Sequence, residues 1–366
     1  MSKIKIINIV GARPQFIKVA PVTEALNEVL GRKATVKMIH TGQHYNGNMS
    51  QIFFDELKIP KPNWNLRIGS GTHGEQTGKM LIEIEKALLE EKPDGAVVYG
   101  DTNSTVAGSL AAAKLHILSF HVEAGLRSFN REMPEEINRI LTDHASSVLF
   151  CPTKDAVNNL KREGITKRGK VYLTGDVMKD ALVKNSKIAR KKSAIIKDLN
   201  LKRKKFLLAT VHRAENTDTK RNLENIFNTF MDLKEKVVVP LHPRTRKYLE
   251  QYGLLKKILE SLMVEIIKPV GYLEMLELER NARLILTDSG GIQKEAYLLK
   301  TPCITLREET EWVETVKAGW NKLVGADPKK IYSAARNFKP RKEREYIFGR
   351  GSASRKIAKI IEKMVC

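Results

Sequence analysis

Short apolar runs recur along the chain, and helical patterns separate them. The first run, Lys3 to Val10, is punctuated by lysine and leads into Gly11-Ala12-Arg13-Pro14. An amphipathic helix is predicted from Pro14 to about Leu30, and proline suits a helix start because its missing N–H costs nothing there. A strand from Thr35 to Ile39 precedes the polar loop His40-Thr41-Gly42-Gln43-His44-Tyr45, and a glycine-rich stretch, Gly69 to Thr77, opens a helix to Leu89. The alternation is tightest from Val97 to Phe150. A run ending at Val97-Val98-Tyr99 stops at Gly100-Asp101-Thr102, and a helix of small residues follows from about Ser104 to Lys114. The next run, Ile117 to Val122, stops at Glu123-Ala124-Gly125; Pro134-Glu135-Glu136 opens a helix, and Ser147 to Cys151 reads as a third strand. Strands that alternate with helices in this way build a parallel sheet.

The pattern repeats in the second half. Strands are expected at Val171–Thr174, Phe206–Thr210, Val237–Pro240, Val264–Ile267 and from Leu284. No further strand is read beyond that. A last helix, Ser352 to Met364, is expected to pack back on the first half. The basic stretch Lys184 to Lys205 marks a boundary. The expected organisation is a first Rossmann-like domain over residues 1–180 with helix 350–366 returned to it, and a second over 181–349.

In open α/β sheets the ligand crevice lies at the carboxyl ends of the strands. Asp101 and Glu123 fall just past strand ends, and Glu135 sits in the first turn of a helix. Asp101 also suits a helix N-cap, and Glu135 suits compensation of a helix dipole. Glu123 has neither role, because no helix begins at it. Arg13 and Lys18 stand near a helix N-terminus, where anions are favoured, and form a candidate clamp for phosphate or carboxylate. His212 and Arg213 follow a strand, and His242 follows another. The strongest signal of the second half is Leu284 to Glu295, LILTDSGGIQKE. Its Ser289-Gly290-Gly291 turn lets backbone N–H groups approach a diphosphate, and Glu295, one turn in, is placed to accept from a ribose diol or to face solvent. The first half thus supplies acids and a basic clamp, the second a phosphate cradle and a histidine, and a nucleotide-sugar fits that division.

Composition narrows the classes. The chain has 366 residues, a formal net charge of +22 and three cysteines, Cys151, Cys303 and Cys366. No apolar run reaches the roughly 18 residues of a membrane span. The start lacks a signal peptide's apolar core. An odd cysteine count without CxxC spacing points to a reducing cytoplasm and away from zinc. His40 and His44 mimic metal spacing, but no nearby acid completes a set. The positive charge is spread among acids, and its densest cluster offers almost no aromatic side chain for base stacking, so nucleic acid is not the expected partner.

These residues carry a resemblance. GARPQFIKVAP, TGQHY, GDTNST, HVEAGLRS, MPEEINR, VHRAEN, HPRT and TDSGGIQKEA are similar to the signatures of the non-hydrolysing UDP-N-acetylglucosamine 2-epimerases, from the first strand to about Gly325. The resemblance implies two Rossmann-like domains facing across a cleft, the glycosyltransferase-B fold. It makes Asp101, Glu123, Glu135 and His212 the catalytic set. It makes Arg13, Lys18, His242, Ser289, Gly290, Gly291 and Glu295 the nucleotide contacts, with Arg213 beside the diphosphate. Gln43 and His44 match a loop that, in bacterial relatives, helps to hold a second, activating UDP-sugar. The implied enzyme is a cytoplasmic homodimer that uses neither metal nor cofactor.

Two departures bear on the sugar. The family usually has Glu where Gln15 stands, and bacterial members have Thr-Glu-Arg-Pro-Glu where this chain has Thr310-Glu311-Trp312-Val313-Glu314. GARPQFIK, GDVMKD and TEWVE resemble the subgroup that acts on UDP-2,3-diacetamido-2,3-dideoxyglucuronate. Gln15 removes a negative charge that would repel a uronate, whereas Trp312 removes a cation that would attract one. UDP-N-acetylglucosamine and the diacetamido-uronate both stay open as substrates. A UDP-sugar glycosyltransferase of the same fold, a hydrolysing 2-epimerase and a binding-only protein are the competing classes.

Overall fold

The apolar runs become strands buried on both faces, as a parallel sheet covered by helices requires. A computed structural model of the chain describes residues 3–43, 60–167, 170–340, 343 and 345–366. The chain forms two units, one from Met1–Val183 with Tyr346–Cys366 and one from Lys184–Glu345.

The first unit runs β1 (Ile4–Val10), α1 (Arg13–Leu30), β2 (Ala34–His40), β3 (Trp64–Asn65), α2 (His73–Glu91), β4 (Gly95–Tyr99), α3 (Asn103–Lys114), β5 (Leu118–Val122), α4 (Pro134–Ala145), β6 (Val148–Cys151), α5 (Lys154–Arg162), β7 (Lys170–Leu173) and α6 (Val177–Lys192). Its seven strands lie in the order β3-β2-β1-β4-β5-β6-β7, and the paired strands are parallel. Alternate residues Ile7, Ile9, Ala96 and Val98 face α2 and α3. Met80, Ile84, Ala87 and Leu88 form the buried stripe of α2, at the spacing of one helix face.

The second unit runs α7 (Ile195–Asp198), β8 (Leu207–Thr210), α8 (Ala214–Thr217), α9 (Lys220–Asp232), β9 (Val237–Pro240), α10 (Pro243–Gln251), α11 (Leu255–Leu259), β10 (Val264–Ile267), α12 (Tyr272–Asn281), β11 (Leu284–Thr287), α13 (Gly290–Leu298), β12 (Cys303–Thr305), α14 (Val313–Lys317), β13 (Asn321–Leu323) and α15 (Pro328–Asn337). The last helix, α16 (Ala353–Val365), buries Ile357, Ala358 and Ile361 and packs against α1 of the first unit. The second sheet has six strands in the order β10-β9-β8-β11-β12-β13. Leu223, Ile226, Phe227 and Phe230 of α9 cover one face of it, and Leu278 and Ala296 belong to the core on the other.

Both sheets reverse direction of growth once, between β1 and β4 and between β8 and β11. Such a reversal separates two neighbouring loops at the carboxyl edge and is where doubly wound folds seat ligands. Two expectations are corrected. β12 and β13 extend the second sheet beyond the last strand expected from sequence. α1 begins at Arg13, one residue earlier than Pro14. Within the basic stretch after Lys184, α6 continues to Lys192 and α7 follows.

Candidate active site

Asp101 follows β4, the strand beside the reversal in the first sheet. It is not the cap of α3: Thr102 is, its side chain accepting from Thr105 N. Asp101 is therefore left to other work. Its side chain keeps 38% exposure, and Arg139 Nη2 lies 3.6 Å from Oδ2. Removal from bulk water raises the Asp101 carboxyl above its ordinary value; Arg139 and Lys18 pull it down, while Glu135 and Glu123 push it further up. Lys18, Arg139, Glu123 and Glu135 thus all lie close enough to Asp101 for their charges to act on it.

Glu123 follows β5, is 7% exposed and pairs with the ammonium of Lys18. It takes a left-handed backbone with φ of 74°, which a branched or long side chain adopts at a cost of about 1–3 kcal/mol. Glu123 N and Ala124 N both donate to Phe150 O, which holds the turn. Gly100 supplies the room: a Cβ there would lie 3.2 Å from Lys18 Nζ and 3.3 Å from Glu123 Oε2. Lys18 sits beyond the first turn of α1 and meets the acids, so its place is beside Glu123 and not at the helix N-terminus.

Glu135 is half-buried at the start of α4. Its neighbour Glu136 is only 1% exposed and does a different job. The Glu136 carboxylate accepts from Ser128 N and Phe129 N, each at 2.9 Å, and from Ser128 Oγ at 3.1 Å. It thereby pins the loop between Glu123 and Glu135. Gln15, on α1, is 1% exposed. Its Oε1 accepts from Gly11 N at 2.7 Å and Ala12 N at 2.9 Å, and its Nε2 donates to Tyr99 O at 2.9 Å and Thr105 Oγ1 at 3.0 Å. Every hydrogen-bonding position of this amide is taken by protein, across the β1–β4 reversal. These contacts give Gln15 a structural role across that reversal. Gln43 accepts at Oε1 from Ser104 N and Ser104 Oγ in the first turn of α3. His44 lies outside the described residues. Arg13 opens α1.

In the second unit, Asp288 follows β11 and is fully buried. Its carboxylate accepts from His212 N, Arg213 N and Asn216 Nδ2, which ties the β8 loop to the β11 loop at the second reversal. His212 Nδ1 lies 3.5 Å from Asp288 Oδ1, and the His212 and His242 rings are 5.3 Å apart. His242 caps α10 by accepting from Arg244 N at 3.2 Å through Nδ1, which places the ring proton of the neutral form on Nε2. Ser289 precedes α13 without capping it through its hydroxyl. Gly290 is required by the protein itself, because the Glu311 carboxylate fills the space a Cβ would take. Gly291 is exposed, and a Cβ there would find only Ser289 Oγ, at 3.8 Å. Glu295 is 5% exposed and so does not face solvent.

Trp312 is 3% exposed, and Lys294, 1% exposed, holds its ammonium 4.2 Å from the centre of the indole. A cation, Lys294, therefore lies beside the tryptophan that stands at this position. Sequence reading missed Arg139, Glu136 and Lys294 as parts of these sites. All three belonged to quoted motifs, Glu136 and Arg139 to MPEEINR and Lys294 to TDSGGIQKEA, yet their partners are visible only in three dimensions. Among the described residues, no group of three or more His, Cys, Asp or Glu is placed to hold a metal ion, and no helix is long and apolar enough to cross a membrane.

Comparison with known proteins gives the family. The family profile described as UDP-N-acetylglucosamine 2-epimerase matches residues 28–362. A UDP-N-acetylglucosamine 2-epimerase homolog of Methanococcus maripaludis is 58% identical, covering 98% of this chain and all of its own. The UDP-2,3-diacetamido-2,3-dideoxy-D-glucuronate 2-epimerase of Pseudomonas aeruginosa is 48% identical, over 98% of this chain and all of its own. The crystal structure of the Methanocaldococcus jannaschii UDP-GlcNAc 2-epimerase in complex with UDP-GlcNAc and UDP superposes with a TM-score of 0.91 at 50% identity, covering 98% of this chain and 100% of that one. With a profile match over residues 28–362 and full-length relatives at 48–58% identity, the chain belongs to the UDP-N-acetylglucosamine 2-epimerase family.

Proposed function

We propose that this protein is a non-hydrolysing UDP-sugar 2-epimerase that inverts carbon 2 of UDP-N-acetylglucosamine or of UDP-2,3-diacetamido-2,3-dideoxyglucuronate. The observation that carries the reading is the gathering of acids and cations at the carboxyl edge of the first sheet, with Glu123 paired to Lys18 and Arg139 3.6 Å from Asp101. Relatives named for each of the two sugars support both substrates.

The carbon-2 proton of an N-acetyl sugar is a weak acid, and its direct removal is costly. Elimination avoids the carbanion. A carboxylate takes the carbon-2 proton, the C–H electrons form the C1–C2 double bond, and UDP leaves carbon 1 with the C–O pair. Return of UDP, with a proton delivered to the other face, inverts carbon 2. The sequence moves a proton and a leaving group without net oxidation, so it needs no redox cofactor. It needs an acid and a base on opposite faces, each with a tuned pKa. Asp101 and Glu135 fill those roles, with Glu123 positioned by Lys18. His212 and Arg213 stabilise the diphosphate as its charge develops. Arg13, His242, Ser289, Gly290, Gly291 and Glu295 hold UDP.

Incubation with either UDP-sugar in deuterated water tests the reading. The expected product carries deuterium at carbon 2 and keeps its UDP linkage. Free UDP with free sugar would assign the hydrolysing class, and no exchange by the wild-type enzyme would sink both. Asp101→Asn and Glu135→Gln are each expected to slow exchange by about 10²-fold or more. The ratio of turnover on the two sugars names the substrate.

The reading includes a cytoplasmic homodimer. Free thiols at Cys151, Cys303 and Cys366 fit a reducing compartment. Exposed Ile82 of α2, Leu110 of α3, and Ile137 and Leu141 of α4 lie on helices that pack side by side and support a self-association face.

A further inference from the structure

The acids sit on three separate elements, and one buried pair touches all three. His121, the fourth residue of β5, has no exposed surface. Its Nε2 lies 2.8 Å from Gly100 O, and its Nδ1 lies 2.7 Å from Asp143 Oδ1. A carbonyl only accepts, so Nε2 donates to Gly100 O, and Nδ1 faces the Asp143 carboxyl group. Burial alone would raise the Asp143 carboxyl, but His121 and Arg127 together hold it below its ordinary value. Asp143 Oδ2 also accepts from Gly125 N at 3.1 Å and Arg127 Nη1 at 2.7 Å. Arg127 continues outward to Glu163 through paired contacts of 2.7 Å.

The connections follow the acids closely. Gly100 immediately precedes Asp101 and takes a left-handed turn with φ of 66°. His121 and Gly125 stand two residues before and two after Glu123. Asp143 lies on α4, the helix that begins with Glu135. A carbonyl donates nothing in return, so the Gly100 contact fixes the direction of the peptide that carries Asp101. Catalytic groups must be held within a fraction of an ångström, and supporting hydrogen bonds do that holding.

We propose that His121, oriented by Asp143, is the positioning residue that sets the Gly100–Asp101 turn in register with Glu123 and Glu135. It touches no reacting atom. This rests on the 2-epimerase reading for its kinetic consequence but not for its structural one. His121→Phe fills the volume and removes both ring nitrogens. His121→Gln keeps one N–H group for Gly100 O. Steady-state kinetics on the UDP-sugar, thermal unfolding, and hydrogen exchange of residues 98–104 are measured for wild type and both variants.

The expected result is a fall in kcat of about 30- to 100-fold for His121→Phe, the scale of a misplacement near 1 Å. KM changes less than about threefold, and His121→Gln recovers about tenfold of the lost kcat. Exchange protection of residues 98–104 falls in the Phe variant and returns in the Gln variant. A folded Phe variant with wild-type kcat and unchanged protection overturns the proposal. Equal losses in both variants that follow unfolding overturn it too, because they assign His121 to packing alone. Should Phe fail to fold, the Gln variant decides: kcat within about tenfold of wild type with the loop protected supports the proposal, and near-complete loss with the loop protected overturns it. If wild-type enzyme gives no exchange at carbon 2, the 2-epimerase reading falls, and protection of residues 98–104 still decides the positioning claim.

Discussion

Gly291 and Gln15 show how one residue separates packing from function. The space around Gly291 is open, and its backbone is not in the left-handed region. Nothing in the protein needs glycine there, and alanine in a helix is worth about 0.5–1 kcal/mol over glycine. A ligand approaching the backbone N–H groups would need it. Gly291→Ala is therefore expected to raise the melting temperature slightly while weakening UDP binding about tenfold or more by calorimetry, the cost of blocking a close backbone approach. Equal affinity would remove Gly291 from the nucleotide contacts. Gln15 poses the opposite case, because its amide N–H group faces the carbonyl of Tyr99. In Gln15→Glu an ionised carboxylate would confront that carbonyl, leaving it short of a donor at a cost of about 1–3 kcal/mol. The folded state then prefers the protonated acid, so the folded pKa lies above the unfolded one. The penalty is absent below the unfolded pKa of about 4.3 and grows as pH rises through the folded one. Denaturant titrations at pH 5 and pH 8 should show the variant closer to wild type at pH 5.

At the scale of the element, α4 concentrates the support for the acids. Glu135, Glu136, Arg139 and Asp143 sit within its twelve residues, and Asn138 Nδ2 donates to Asp101 O at 3.1 Å. Arg139 lies 3.6 Å from the Asp101 carboxylate and, with Lys18, works against the rise that burial gives its pKa. Removing that charge in Arg139→Met raises the Asp101 pKa further. If Asp101 works as a base, it must be ionised, so the acid limb of kcat/KM moves to higher pH in the variant. An unmoved limb would take Asp101 out of the base role. Much of this architecture was legible in the sequence. The long strands showed as apolar runs, and their polar ends placed Asp101, Glu123, His212 and Ser289 at the carboxyl edges. β3, β12 and β13 are two or three residues long, too short for a periodicity, and only pairing with their neighbours makes them strands. Glu136 and Glu135 are indistinguishable as adjacent acids in a first turn. What separates them is the loop folded back onto Glu136, a contact that no local pattern announces. The same holds for Gln15, whose four partners lie on three different elements.

The whole molecule carries a net charge of +22, and like charge on two copies opposes their association. The apolar face on α2, α3 and α4 escapes that field locally. α2 contains five glutamates against two lysines, α3 a single lysine, and α4 three acids against one arginine. A dimer built on this face would place the least basic part of each copy against the other, with Ile137 and Leu141, at 41% and 52% exposure, covered. Burying those side chains is worth roughly 1.5–3 kcal/mol each when complete, so charging the centre of the face should dissociate it. If that face makes a dimer, Leu141→Glu is expected to yield monomer by light scattering at concentrations where the wild type associates. Salt dependence adds an independent test. Screening length falls from about 30 Å at 0.01 M to about 8 Å at 0.15 M, which weakens the long-range repulsion and leaves an apolar contact intact. The dimer should therefore tighten as ionic strength rises across that range. A contact made chiefly of ion pairs would loosen instead, and that trend in the wild type would place the interface elsewhere on the surface.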